Sequence, residues 1–195
     1  MKLHGTPLSH FTRKIRILAA ELAIPVELVP TPGVMATTPG AYGDNPLMRI
    51  PTLVDGDTTV IDSDHIARYL VGKHDPADRL CVRSERVGDL NRLAVTSGVM
   101  ANEVVLILAK RGGLEDIDRV VYFQKLMAAI DGGLAWLDQH VELDAPGFDY
   151  RDIALVCMWQ HLAHYRLRAL TPYARIAARV ERFAERPSVA PSTPH

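Results

Sequence analysis

The sequence predicts a chain built in two styles: an α/β domain over residues 1–76 and an all-helical domain over residues 85–195, joined by a linker at 77–84. Three observations carry this prediction. Short apolar runs alternate with helical periodicity as far as Leu70, strand signals vanish from Ser84 onward, and a mixed-charge stretch, His74-Asp75-Pro76-Ala77-Asp78-Arg79, separates the two styles. A length of 195 residues admits one domain or two small ones.

In the first part, Leu3 begins a short strand that ends at Gly5-Thr6-Pro7. Phe11, Ile15, Leu18, Ala19 and Leu22 then share one face of a helix. Ile24-Pro25 stops it, because Pro cannot continue a helix and restrains the residue before it. Val26-Glu27-Leu28-Val29 reads as the second strand. Residues 30–46 hold Pro30, Pro32, Gly33, Pro39, Gly40, Gly43 and Pro46, a loop with at most one helical turn. Pro51-Thr52-Leu53-Val54 and Thr58-Thr59-Val60-Ile61 flank Asp55-Gly56-Asp57, a hairpin in which Asp-Gly suits the positive φ of a tight turn. Ile66, Ala67, Tyr69 and Leu70 place a helix reaching Gly72.

In the second part, residues 84–111 run without Pro, room for about seven helical turns, and Gly112-Gly113 ends the helix. Val120, Phe123, Leu126, Met127, Ile130, Leu134 and Leu137 repeat at three and four residues and predict a second helix over 116–140, weakened at Gly132-Gly133. Residues 149–168 form a third helix, 172–186 a fourth, and Ser188 to His195 a tail.

Composition excludes several classes. Apolar residues make up 48% and charged residues 23%, so the chain is neither disordered nor collagen-like. A net charge of −1 gives no electrostatic footprint for nucleic acid or an anionic membrane, and neither is expected as a partner. No run of 18 apolar residues exists, and Met1 to Pro7 lacks the apolar stretch of a signal peptide. Cys81 and Cys157, far apart and without metal-ligand spacing, read as reduced buried thiols of a cytoplasmic protein. There is no P-loop, GxGxxG, HExxH or nucleophile elbow.

Four stretches, in order, carry a resemblance. They are Lys2 to Arg16 (KLHGTPLSHFTRKIR), Asn45 to Leu53 (NPLMRIPTL), Asp62-Ser63 followed by Ile66 and Tyr69-Leu70, and Arg182 to Val189 (RFAERPSV). The ordered set spans residues 1–190 and is similar to bacterial, serine-type members of the glutathione transferase family. That resemblance implies a thioredoxin-like first domain, an all-α second domain and glutathione as co-substrate. It also implies a homodimer through the helix after Asp62 and the first long helix.

Each piece also has a reading of its own. Ser9 lies between a strand and a helix N-terminus, where free backbone N–H groups and the macrodipole favour an anion. It is either a helix cap or the hydroxyl that donates to a thiolate, and one hydroxyl can do both. The resemblance favours the catalytic role. The family often has Pro after this Ser; here His10 follows, an imidazole placed to crowd or assist the thiol. A dithiol mechanism is not expected, since no Cys occupies this turn. Pro51 opens a strand, as at an edge or special turn. The resemblance implies a cis Ile50–Pro51 bond, with the Ile50 backbone pairing an extended peptide such as glutathione. Asp62-Ser63 reads as a plain cap, Ser or Asp before a helix, or, with Ser63 as the N-cap, as the pair holding the γ-glutamyl end, Ser63 on its carboxylate and Asp62 on its ammonium. Arg49 suits the glycyl carboxylate, although relatives often carry Gly-Lys or Gly-Gln where Met48-Arg49 stands.

Asp149 and Asp152 stand at capping-box spacing and belong to folding, with about 0.5–2 kcal/mol at stake. His161 and His164 stand at i and i+3, but no carboxylate or Cys at matching spacing completes a ligand set, so no metal is expected. The expected activity is conjugation of the glutathione thiolate to a hydrophobic electrophile in detoxification, the electrophile lying near Met100, Val104 and Tyr165. The alternatives are a non-catalytic scaffold of the same fold, or another glutathione-dependent enzyme such as an isomerase, a dehalogenase or an ether-cleaving enzyme.

Overall fold

The structure is a computed structural model that describes residues 1–194; His195, the last residue of the expected helical domain, lies outside the described residues. Strand β1 (Lys2–Gly5) is followed by α1 (His10–Glu21), β2 (Glu27–Pro30), β3 (Thr52–Asp55), β4 (Thr58–Ile61) and α2 (Ser63–His74). The sheet order is β2-β1-β3-β4. β2 is parallel to β1, with α1 as the crossover, and the remaining pairs are antiparallel. Leu3 lies opposite both Leu28 and Leu53, which centres the sheet on β1. The β3–β4 turn places Gly56 at φ 60°, the left-handed conformation glycine adopts without strain. The long loop contains one 3-10 turn, Pro39–Tyr42.

The register fixes what lies together. Thr52 pairs with His4 on one side and with Ile61 on the other. The chain leaving β1 toward Ser9, the Pro51 that enters β3 and the Asp62 that follows β4 are therefore all delivered to one end of the sheet.

The helical part comprises α3 (Val87–Arg111), α4 (Val121–His140), α5 (Tyr150–Tyr165) and α6 (Ala174–Ala184). Residues 75–86 are pinned by two aspartates: Asp75 accepts from the backbone and side chain of Arg79, and Asp78 from the backbone of Val82 and Arg83. One apolar core runs through both parts, joining Leu3, Ile15 and Leu53 to Ile130, Ile153 and Val180. By length and composition alone α3 would pass for a membrane-crossing helix. In the fold it packs against α4 and α5 and buries Asp89 and Glu103.

Two local expectations are corrected, and a third element is explained. Cys81 is exposed; only Cys157 is buried, and burial pushes its thiol up to about 11. The terminal segment is not a free tail: Val189 is fully buried, and the buried Arg13 of α1 donates to Ser192 Oγ at 2.9 Å. Helix α4 continues through Gly132-Gly133. The reason lies across the helix interface, where a Cβ on Gly133 would stand 2.6 Å from Val99 Cγ2 of α3, whereas one on Gly132 would meet nothing within 4 Å. Gly132→Ala is thus expected to stabilise by about 0.5–1 kcal/mol through helix propensity. Gly133→Ala is expected to destabilise by about 1–2 kcal/mol through overpacking. Chemical denaturation of both variants checks the sign; equal shifts would show that α3 and α4 do not meet so closely.

Candidate functional site

Ser9 is the cap of α1, with φ −61° and ψ 120°, and its Oγ accepts from the Thr12 N–H at 3.3 Å. Its own N–H is used on Thr6, at 3.3 Å to the carbonyl and 3.2 Å to Oγ1. Among the described residues the Ser9 hydroxyl proton has no acceptor, and the N–H groups of His10 and Phe11 are unpaired. The half-buried Ser9 is therefore a cap whose remaining hydrogen-bonding capacity is donation, beside the free N–H groups of a helix start.

The loop into β3 is held by Asn45. Its Nδ2 donates to the Arg49 carbonyl at 2.9 Å and to Thr52 Oγ1 at 3.2 Å, and its Oδ1 accepts from Leu47 N–H at 2.9 Å. This buried amide shapes the turn, with Met48 at φ 51°. The Ile50–Pro51 peptide is cis. Pro51 is buried and Ile50 half-buried, and the Ile50 backbone makes no hydrogen bond among the described residues, so an edge stands free. Arg49 is exposed, with no ion pair among the described residues.

At α2 the cap is Asp62 and not Ser63. Asp62 Oδ1 accepts from Asp64 N–H at 2.8 Å and from His65 N–H at 3.3 Å, and Ser63 is the first helical residue. Asp62 sits at φ 78° and ψ 133°, a conformation a non-glycine residue rarely holds and one that concentrates at ligand sites. Ser63 is 3% exposed, and its hydroxyl has no partner among the described residues. Asp62 is exposed. A carboxylate, a hydroxyl and a helix N-terminus thus lie together.

A buried polar junction backs this corner. Lys14 Nζ of α1, fully buried, lies 2.7 Å from Asp64 Oδ1 of α2. The Tyr150 hydroxyl at the start of α5 donates to the same oxygen at 2.7 Å. Burial alone would raise the Asp64 carboxyl, but the Lys14 charge and the two hydrogen bonds outweigh it and hold the group below its ordinary value. Burial and the Asp64 charge push the Tyr150 phenol well above its ordinary value, so it remains a donor. These three residues were not identified from sequence as part of the site. The legible signal was Lys14 itself, a cation four residues before Leu18 on the apolar face of α1.

His10 does not face an open cleft. It is 1% exposed and turned toward α3 and α5, its ring 4.1 Å from that of His161. Met100 is fully buried, while Val104 and Tyr165 are half-buried and available to a cleft. Tyr165 accepts from Arg111 at 2.8 Å. Cys157 packs near Arg13 and Lys14, but its raised pKa removes it as a nucleophile. An open depression of about 460 Å³ lies at the C-terminal end of α4 between His140 and Arg175 and holds none of these residues.

Comparison with known proteins finds likeness in the first part of the sequence and in the fold. A family profile described as glutathione S-transferase, N-terminal domain, matches residues 3–78. Glutathione S-transferase 4 of Zea mays is 32% identical over 82 residues, 39% of this chain and 35% of that protein, so the match spans about a third of the maize protein. Solved structures align over the whole fold. A glutathione S-transferase from Methylobacillus flagellatus with glutathione bound gives a TM-score of 0.83 at 26% identity, covering 100% of this chain and 99% of that one. A glutathione transferase family member from Pseudomonas fluorescens with bound glutathione gives 0.82 at 26% identity, covering 100% and 98%.

Proposed function

We propose that the chain is a member of the glutathione transferase family, on the match of residues 3–78 and the likeness of the whole fold, and that it activates the glutathione thiol and conjugates it to a hydrophobic electrophile. The observation that carries the reading is Ser9: a hydroxyl with an unused proton, at the start of α1, beside unpaired N–H groups. In this reading the thiolate accepts from Ser9, and the free Ile50 backbone pairs with the cysteinyl segment beside Pro51. Ser63 and the α2 N-terminus take the γ-glutamyl carboxylate, Asp62 takes its ammonium, and Arg49 takes the glycyl carboxylate. The electrophile lies over Val104 and Tyr165. The same reading makes the protein a cytoplasmic homodimer with a role in detoxification.

Magnitudes allow Ser9 this role. A free cysteine thiol has a pKa of about 8.5 and is ~3% thiolate at pH 7. Lowering it by two units requires about 2.7 kcal/mol. One charge-assisted hydrogen bond supplies roughly 1.5–3 kcal/mol, and a helix terminus about 0.3–1 more. Ser9→Ala is expected to keep glutathione affinity within a few-fold while raising the bound thiol pKa by one to two units. Conjugation at pH 7 then slows about 3- to 25-fold, as the thiolate fraction falls. Thiolate absorbance against pH on both proteins reads this directly, and superimposable titrations would clear Ser9 of the role. The reading as a whole is tested by calorimetric titration with glutathione followed by a panel of electrophiles. No binding at millimolar glutathione would leave a scaffold of the same fold, and binding without conjugation would point to another glutathione-dependent chemistry.

A further inference from the structure

We propose that His10, Glu103 and His161 form a buried binding site for one divalent transition-metal ion of the zinc class, seated where α1, α3 and α5 meet. One ligand atom from each of the three lies within 4.8 Å of the others. His10 is 1%, Glu103 0% and His161 5% exposed. His161 Nδ1 stands 2.7 Å from Glu103 Oε1. The second carboxylate oxygen, Glu103 Oε2, is 3.6 Å from His10 Nδ1, beyond hydrogen-bond reach.

That leaves three orphans at one buried point. Among the described residues Glu103 Oε2 and both ring nitrogens of His10 have no hydrogen-bond partner, although the Met100 backbone lies near enough to favour a proton on the ring. Buried polar atoms are nearly always satisfied, and three unsatisfied together need a physical cause. A purely hydrogen-bonded cluster explains the His161–Glu103 pair but gives His10 nothing. An ion takes Glu103 Oε2 and one ring nitrogen of His10, and with His161 these make a two-imidazole, one-carboxylate ligand set with a position to spare; the other His10 nitrogen is left to the Met100 backbone. Tetrahedral donors around an ion at about 2.0–2.2 Å stand about 3.3–3.6 Å apart, so the 3.6 Å His10–Glu103 pair already has ligand spacing and the 2.7 Å His161–Glu103 hydrogen bond opens when the ion enters. The Met100 backbone beside His10 stands where the outer partner of a metal-bound histidine stands.

The donor chemistry selects the ion. Magnesium and calcium take oxygen ligands, and soft Cu(I) prefers sulfur, so a mixed nitrogen and oxygen set suits zinc, cobalt or nickel. A neutral imidazole has one lone pair to give, so His10 and His161 can each supply one nitrogen ligand. Lys14, the nearby cation, is already neutralised by Asp64. An ion here ties the first residue of α1, adjacent to Ser9, to α3 and α5. This site stands apart from the glutathione reading, and its readouts are ion content and stability.

In the experiment the untagged full chain is refolded with excess Zn²⁺ or Co²⁺, or with a chelator, and dialysed before metal analysis. About one retained ion per chain is expected. At free ion about 100 times the dissociation constant, the melting midpoint should rise roughly 5–10 °C above the chelator arm. Glu103→Gln and His161→Gln are each expected to weaken retention at least about tenfold, while His140→Gln, on the surface of α4, retains the ion. In the Co²⁺ arm, paramagnetic shifts should fall on the ring signals of His10 and His161. A wild-type chain that retains no ion and melts alike in both arms overturns the proposal. Equal retention by the two cluster variants, or shifts confined to other histidines, overturns it as well. If neither variant folds, the Co²⁺ shifts of the wild type decide alone.

Discussion

Asp152→Ala is expected to lower the melting midpoint by roughly 6–20 °C while leaving glutathione binding intact at temperatures where the chain is folded. Asp152 acts twice. It closes the capping box of α5, accepting from the Asp149 N–H at 3.3 Å while Asp149 accepts from the α5 backbone. It also pairs bidentately with Arg179 of α6, with contacts of 2.8 and 2.7 Å. A lost cap costs about 0.5–2 kcal/mol. The pair matters more, because the two side chains are only 9% and 5% exposed. Burial pushes the Asp152 carboxyl above the ordinary range in spite of the guanidinium, which marks a water-poor setting. Removing one partner of a buried pair costs about 3–5 kcal/mol, and each kcal/mol moves the midpoint of a chain this size by about 2–4 °C. Arg179 keeps the Ala145 and Gly147 carbonyls at 2.8 and 3.3 Å, so the loss falls short of an isolated buried cation. Calorimetry with a glutathione titration separates the two effects. An unchanged midpoint with lost binding would move Asp152 from folding to the site.

Asp64→Ala is expected to cost about 3 kcal/mol, the lower end for a broken buried pair, since Asp64 keeps 30% of its side chain exposed while Lys14 keeps none. The midpoint should fall by roughly 6–12 °C. The joint variant Lys14→Met with Asp64→Leu is expected to recover most of the loss, because no charge is then left buried. The pH dependence follows from the depressed carboxyl. A folded-state value below the unfolded value of about 3.9 gives stability that is complete above pH ~4 and lost as pH falls through the folded value. Acid unfolding of wild type should therefore be steeper below pH ~4 than that of Asp64→Ala. Parallel acid limbs would show that the Lys14 pair contributes nothing to folding. Because Asp64 directly follows Ser63, the same variant should weaken glutathione binding more than Asp152→Ala does, both measured well below their midpoints.

Much of the molecule was legible without coordinates because its determinants are short-range. The Asp55-Gly56-Asp57 turn, the break at Ile24-Pro25, the cap Ser9 and the Asp149–Asp152 box all act within about one turn of chain, where spacing alone dictates geometry. The alternation of strands and helices likewise determined the sheet and its crossover, since parallel strands need such a connection. Tertiary structure decided what depends on docking. Whether Asp62 or Ser63 caps α2 turned on an Asp62 backbone held at φ 78° by its surroundings. Gly133, a weak point of α4 by propensity, became a close helix contact because Val99 faces it from α3. Lys14 met Asp64 and Tyr150, Arg179 met Asp152, and His10 met Glu103 and His161, from five helices spread along the chain. A buried polar side chain is stable only against a partner, and which partner arrives is settled by how the helices pack, a quantity that no local spacing encodes.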